Sequence, residues 1–275
     1  MIKITVLLEN SSVSDKYESK HGLSLLIDYN DTCILLDAGP DNKFIKNAEK
    51  MNIDLSKVRY LFLSHNHYDH TGGINDFIKV NSTAGIYLMD DIDSKYYAKG
   101  FIFYKFIGSK PDKSSYSRVI KADNDLIIDS TIHFLKNTAC GHQKPTFNKV
   151  LYKKDNGKRI KDNFDHEGIL VLEDNNELVI FNSCSHNGLL NIMETVKTKI
   201  PDKRIRAYAG GLHLCNPTTK EHEDNEYLDH LIDEIKRMGI VVYTGHCTGK
   251  YAMGYMKEKL GERLQEINTG MKLNV

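Results

Sequence analysis

Short apolar runs alternate with amphipathic stretches along the whole chain, and their spacing predicts most of its elements. Strand-like runs fall at 2–8 (IKITVLL), 23–28 (LSLLID) and 32–37 (TCILLD), and Tyr29-Asn30-Asp31 supplies turn residues that pair the last two as a hairpin. A helix over about 42–51 follows, with Asp41 available as its cap. The apolar run Tyr60-Leu61-Phe62-Leu63 reads as a strand that stops at Ser64. Beyond it, Ile74, Phe77 and Ile78 have the spacing of a helix over 72–79 that faces a core, ahead of a strand at 85–88. After a variable middle, strands are predicted near 126–135, 168–173 and 177–181, with Asn175-Asn176 as the turn of another hairpin. Helices at about 188–199 and 217–238 flank a strand at 205–209, and a strand at 240–243, a helix at 248–260 and two short strands close the chain. Hairpins mixed with β-α units, with no Gly-, Ser- or Pro-rich linker, predict one compact α/β domain over 1–275. Its two halves share an outline of strands followed by helices. That outline suits a four-layer αβ/βα sandwich, two mixed sheets with helices outside.

The bulk numbers narrow the function classes. With 275 residues and 40% hydrophobic content the chain can bury a sizeable core. Lys plus Arg equals Asp plus Glu at 37 each, so no net field draws it to nucleic acid or to an anionic membrane. The first residues run straight into a strand pattern, without the basic and apolar regions of a signal peptide, and no apolar run is long enough to span a bilayer. Five cysteines at irregular spacing, with no C-x-x-C, point to a reduced, cytoplasmic setting.

The chemistry concentrates at 61–73 (LFLSHNHYDHTGG). Three imidazoles and a carboxylate, His65, His67, Asp69 and His70, fall within six positions at the end of a strand. A strand running into a turn can splay such side chains into one pocket, and neutral imidazole nitrogen with carboxylate oxygen suits Zn²⁺, Fe²⁺ or Mn²⁺. The glycines Gly72 and Gly73 let the backbone turn sharply after the ligands. Two distant segments repeat the grammar of a strand, a histidine and a helix: ELVIFNSCSHNGLLNI (177–192) with His186, and VVYTGHCTGKYA (241–252) with His246.

The H-x-H-x-D-H pattern followed by Thr-Gly-Gly resembles the metallo-β-lactamase superfamily. The resemblance implies that His65, His67 and His186 hold a first metal and that Asp69, His70 and His246 hold a second. Asp37, which ends the strand CILLDAG, matches an aspartate that braces the ligand loop. One departure stands out: the segment IRAYAGGLHLCN (205–216) lacks the aspartate that bridges the metals in many two-metal members, Asp202 and Asp224 are poorly placed for that role, and His213 occupies the neighbourhood. His213 is read as an extra ligand, a hydrogen-bond donor to substrate, or a structural residue. GGLHL, SCSHNGLLNI, GHCTG, KHGLSLLI and DNFDHEGILVL are similar to a narrower branch, the dihydropterin-ribofuranosylaminobenzene phosphate synthase-like metallo-hydrolases. In that branch His21 fits the His-Gly position and is a candidate to line the pocket.

The expected cofactor is one or two divalent transition-metal ions, Zn, Fe or Mn. The leading expectation is a hydrolase in which metal-bound hydroxide attacks a small ester, phosphoester or related bond, with Asp69 orienting that hydroxide or accepting its proton. A pterin-dependent transferase that forms a C–N bond is the alternative, and a di-iron redox or metal-binding protein is the third option. The partner is a small-molecule substrate, not nucleic acid or membrane, and a homodimer is left open. Cys184 and Cys247 flank the histidine corners, and small buried filler is favoured over thiolate ligation. The aromatic run 96–106 (YYAKGFIFYKF) reads as packing against the core or a partner subunit, with a stacking surface for a flat ligand as the rival. The basic run within 142–161 reads as a solvated loop. Together these segments make about 90–165 the expected specificity insertion.

Overall fold

Strands buried on both faces carry apolar runs, and the second half of Val58–Leu63 is one, with Leu61, Phe62 and Leu63 fully buried. In the computed structural model, which describes residues 1–275, this strand lies between Thr32–Leu36 and Gly85–Leu88 and runs parallel to both. The chain divides into two compact units: 1–124, 149–168 and 268–275 form the first, and 125–148 with 169–267 form the second. Both are mixed α/β, with sheets flanked by helices.

The main sheet of the first unit has seven strands in the order Lys272–Asn274, Ile2–Leu8, Ser24–Tyr29, Thr32–Leu36, Val58–Leu63, Gly85–Leu88 and Val119–Lys121. Asn30 and Asp31 both adopt positive φ (45° and 60°) and close the predicted hairpin with the twist that two-residue turns prefer. The helices Lys43–Lys50 and Ile74–Val80 bury Phe44, Ala48, Ile74 and Phe77 in a core with Leu35, Leu61, Leu63 and Ile86. Asp41 lies just ahead of the first of these and accepts the Lys43 amide at 3.1 Å.

The segment 90–165 contains structure that the sequence did not announce. A four-stranded antiparallel sheet runs in the order Lys158–Lys161, Leu151–Asp155, Tyr96–Lys99 and Tyr104–Phe106. Much of the basic run is therefore a hairpin rather than a loop. Its cations lie over rings, with the Arg159 guanidinium 4.7 Å from the Tyr97 centroid and 4.9 Å from that of Tyr104. The aromatic run also departs from the expected packing: Tyr96 is buried, but Phe101, Ile102 and Phe103 stand exposed at a hairpin tip.

The second unit carries its own seven-stranded sheet, ordered Leu264–Glu266, Val241–Thr244, Arg204–Ala209, Glu177–Phe181, Gly168–Asp174, Ile132–Lys136 and Leu126–Asp129. The first four strands in this order are mutually parallel. The Asn175-Asn176 turn closes a hairpin as predicted, again with positive φ at both residues. The run 126–135 is two strands rather than one, because Asp129 Oδ1 accepts the amides of Thr131 and Ile132 (2.8 and 3.0 Å) and turns the chain. The helix predicted over 217–238 begins only at Asn225. Asp224 caps it by accepting the Tyr227 amide at 2.8 Å, and Gly239 ends it in the left-handed region. Leu228, Leu231, Ile232 and Ile235 form its apolar stripe and pack with Ile180, Ile205 and Val242. No helix is long and apolar enough to cross a membrane.

One buried amide holds the strand that feeds the candidate site. Asn81 Nδ2 donates to Leu55 O and Val58 O (2.9 and 2.8 Å), and its Oδ1 accepts from the amides of Thr83 and Ala84 (3.0 and 2.7 Å). Asn81→Ala leaves these groups buried without partners and is expected to destabilise the fold by about 3 kcal/mol. Urea unfolding read by circular dichroism checks this, since the midpoint should fall with no change in slope.

Candidate metal centre

In parallel sheets, side chains at the carboxyl ends of strands open into a common crevice. Thr32–Leu36 and Val58–Leu63 are such neighbours, and the residues that follow them, Asp37 and Ser64, meet. Asp37 Oδ1 accepts the Ser64 amide, and Oδ2 accepts both the Ser64 hydroxyl and His70 Nδ1, each at 2.7 Å. With its proton committed to Asp37, Ser64 Oγ is left to accept from His65 Nδ1 at 2.9 Å. One buried carboxylate thereby orients two imidazoles through their Nδ1 atoms, His70 directly and His65 by way of Ser64. Asp37 pays for the placement with a left-handed backbone, φ 59°.

The rings of His65, His67 and His70 converge, with centroids 4.6 Å apart for His65 and His67 and 4.3 Å for His65 and His70. Asp69 Oδ2 lies 3.5 Å from His70 Nε2 and 3.3 Å from His21 Nε2. Burial keeps His65 well below the usual imidazole range and takes His67 down to about 3, so both are neutral donors. Burial also opposes charge on His70, but Asp69 and Asp37 outweigh it and raise its pKa to about 10. The pocket therefore favours positive charge at this imidazole. The neutral imidazoles of His65 and His67 beside the Asp69 carboxylate make a donor set that fits a divalent transition metal.

The glycines after this loop work by close approach rather than by a sharp turn. Gly72 and Gly73 have ordinary helical φ (−62° and −80°), but a Cβ on Gly73 would lie 2.2 Å from Ala38 O, and one on Gly72 would lie 2.4 Å from Pro40 O. Their missing side chains let the strand end carrying Asp37 press against the ligand loop.

Two residues of the first unit escaped the sequence reading. Asp162 and His166 form a buried pair, Oδ2 to Nε2 3.0 Å, with the His166 ring 6.0 Å from that of His67 and 4.3 Å from that of Tyr96. Burial works against a charged His166, yet Asp162 holds its pKa above the usual value. The signal lay in DNFDHEG, where aspartate and histidine stand four apart just ahead of a strand.

In the second unit, three adjacent parallel strands each deliver one histidine from the carboxyl end: Glu177–Phe181 leads to His186, Arg204–Ala209 to His213 and Val241–Thr244 to His246. His186 Nδ1 is held by Asn148 Oδ1 at 3.0 Å, and its ring centroid lies 4.1 Å from that of His213. Ser185, His213 and His246 all adopt left-handed φ of 52–53°, a strain that tight strand-to-helix corners impose. Cys184 and Cys247 are buried within this group. Burial pushes the Cys247 thiol up, but its contacts with Cys184, His246 and His213 bring it well below the usual thiol range. Asp224 is engaged as a helix cap, and Asp202 is exposed.

The sequence profile of the metallo-beta-lactamase superfamily matches residues 20–139, a stretch that contains the whole 65–70 loop. Over 294 aligned residues the chain is 27% identical to the 7,8-dihydropterin-6-methyl-4-(beta-D-ribofuranosyl)-aminobenzene-5'-phosphate synthase of Methanocaldococcus jannaschii, covering 98% of this chain and 95% of that one. An uncharacterized protein of the same organism is also 27% identical, over 91% of this chain and 92% of its own length. Among solved structures, Tm1679, a metal-dependent hydrolase of the beta-lactamase superfamily, superposes with a TM-score of 0.83 at 26% identity, covering 100% of this chain and 99% of that one. A profile match through the histidine loop, relatives aligned nearly end to end and a shared architecture agree: the chain is similar to the metallo-β-lactamase superfamily and shares its fold.

Proposed function

We propose that the chain is a metal-dependent hydrolase of a small ester, phosphoester or related bond. The observation that carries this reading is the loop of His65, His67, Asp69 and His70, in which His65 and His70 are oriented through Ser64 and Asp37. These four side chains are proposed ligands of a Zn, Fe or Mn ion, and His186 and His246, at strand ends of the second unit, are proposed metal ligands as well, for one or two ions per chain. A divalent cation supplies Lewis acidity and lowers the pKa of water to about 7. Asp69, 3.3 Å from His21, orients the attacking water and takes up its proton. His21, half exposed beside that carboxylate, faces the substrate. A small molecule is the proposed substrate, and a reducing cytoplasm suits five cysteines that form no disulfide.

A second reading is favoured by one observation, the 27% identity across 98% of the chain to a synthase named for a 7,8-dihydropterin and an aminobenzene ribofuranosyl phosphate. In this reading the same metal loop serves a transferase that forms a C–N bond on a pterin. Assays on a panel of phosphodiesters and lactones, run beside a pterin with an aminobenzoate-type partner, separate the two readings. Turnover of the panel alone supports hydrolysis, and product only from the paired substrates supports the transferase.

Asp69→Asn is expected to lower kcat by about 10²-fold or more while leaving the unfolding transition in place; near-wild-type turnover would remove Asp69 from the chemistry. Ser64→Ala breaks the link between Asp37 and His65 without touching a ligand, so metal affinity, read by competition with a chelator, should fall by about 10–100-fold.

A further inference from the structure

The sequence alone favours filler for Cys184 and Cys247, but the structure sets them beside a buried imidazole, His213. The sulfur atoms of both cysteines and a ring nitrogen of His213 all lie within 4.8 Å of one another. The three side chains are buried, with exposures of 3%, 6% and 7% for Cys184, Cys247 and His213. Neither ring nitrogen of His213 has a hydrogen-bond partner. Enclosed in this way, the imidazole has only its contact with Cys247 to set against its desolvation cost, and a ligand in the space it faces would offset the rest.

The backbone is shaped around the sulfur. A Cβ on Gly211 would lie 2.5 Å from Cys247 Sγ, so the glycine pair ahead of His213 leaves room for that sulfur. The His213 amide donates to Cys247 Sγ at 3.2 Å, a contact that favours negative charge on the sulfur. Thr248 Oγ1 accepts the Leu212 amide at 3.1 Å and ties the same two corners together. The donors sit at the carboxyl ends of three adjacent parallel strands and are held by the sheet rather than by a loose loop.

We propose that Cys184, His213 and Cys247 bind a thiophilic divalent cation, Zn²⁺ in the first instance, at a site whose three donors all belong to the second unit. Bond lengths of about 2.3 Å to sulfur and 2.0–2.1 Å to nitrogen separate tetrahedral donors by about 3.5–3.8 Å, so the observed spacing closes onto an ion with small side-chain movements. Both thiols lose their protons on ligation. Sulfur donors select Zn²⁺ over Mg²⁺, Ca²⁺ and Mn²⁺, and the fourth corner is left for water or substrate. The site goes beyond the hydrolase reading and does not depend on it.

The test loads reduced, chelator-stripped protein with Co²⁺ and follows sulfur-to-cobalt charge-transfer absorption in the near ultraviolet. The band is expected to appear in the wild type, to weaken in Cys184→Ser and in Cys247→Ser, to vanish in the double variant, and to be displaced by Zn²⁺. It should persist in His65→Ala/His67→Ala, where the proposed hydrolysis is lost, so failure of one reading is distinguishable from failure of the other. A cobalt spectrum with only weak ligand-field bands, or a charge-transfer band that survives loss of both cysteines, overturns the proposal. X-ray absorption at the zinc edge of the wild-type holoprotein guards against misfolded variants. Sulfur in the coordination shell is expected, and a shell of nitrogen and oxygen alone contradicts the site.

Discussion

The carboxylate of Asp37 is the constraint on which the first half of the site depends. It is fully buried and accepts three hydrogen bonds, from the Ser64 amide, the Ser64 hydroxyl and the His70 ring. A carboxylate buried with fewer partners would be costly, and so many donors make its position stiff. Through Ser64 it also governs His65, so one side chain sets the direction in which two imidazole rings face. Parallel pairing of the two strands places Asp37 and Ser64 at the same sheet end, and Gly72 and Gly73 allow the close approach. Sheet register, ring orientation and candidate chemistry are thus one linked arrangement.

Much of this was legible before the structure. The apolar run ahead of Ser64 marked a central strand, and a dense group of imidazoles after a strand end has few explanations other than a metal. Asp37 was found through the family resemblance, at the acid that ends the strand CILLDAG. The two Asn and Asp turns were legible because positive φ in a tight hairpin selects those residues. His213 was noticed for its neighbourhood, but its partners were not. Two cysteines more than sixty positions apart in sequence come together only through the pairing of parallel strands, which local pattern does not encode.

Other features were hidden for definite reasons. Lys158–Lys161 is exposed at every position, so it has no apolar alternation to betray a strand, and pairing with Leu151–Asp155 and ring contacts hold it instead. The pair of Asp162 and His166 has helix-like spacing but lies in an irregular turn, where Phe164 adopts a left-handed φ of 59° and Asp162 Oδ1 accepts the Phe164 amide at 2.9 Å. The late start of the helix at Asn225 follows from side-chain capping by Asp224. In the last two cases side-chain hydrogen bonding overrode periodicity, and in the first, backbone pairing and ring contacts did.

Metal analysis of protein purified without oxygen tests the central claim most directly. The account predicts at least one equivalent of a divalent transition metal per chain, with a marked loss in a folded His65→Ala/His67→Ala variant. Wild-type protein that takes up no metal when Zn, Fe or Mn is supplied, or a double variant that keeps its full content, would contradict the assignment of the 65–70 loop as a metal centre.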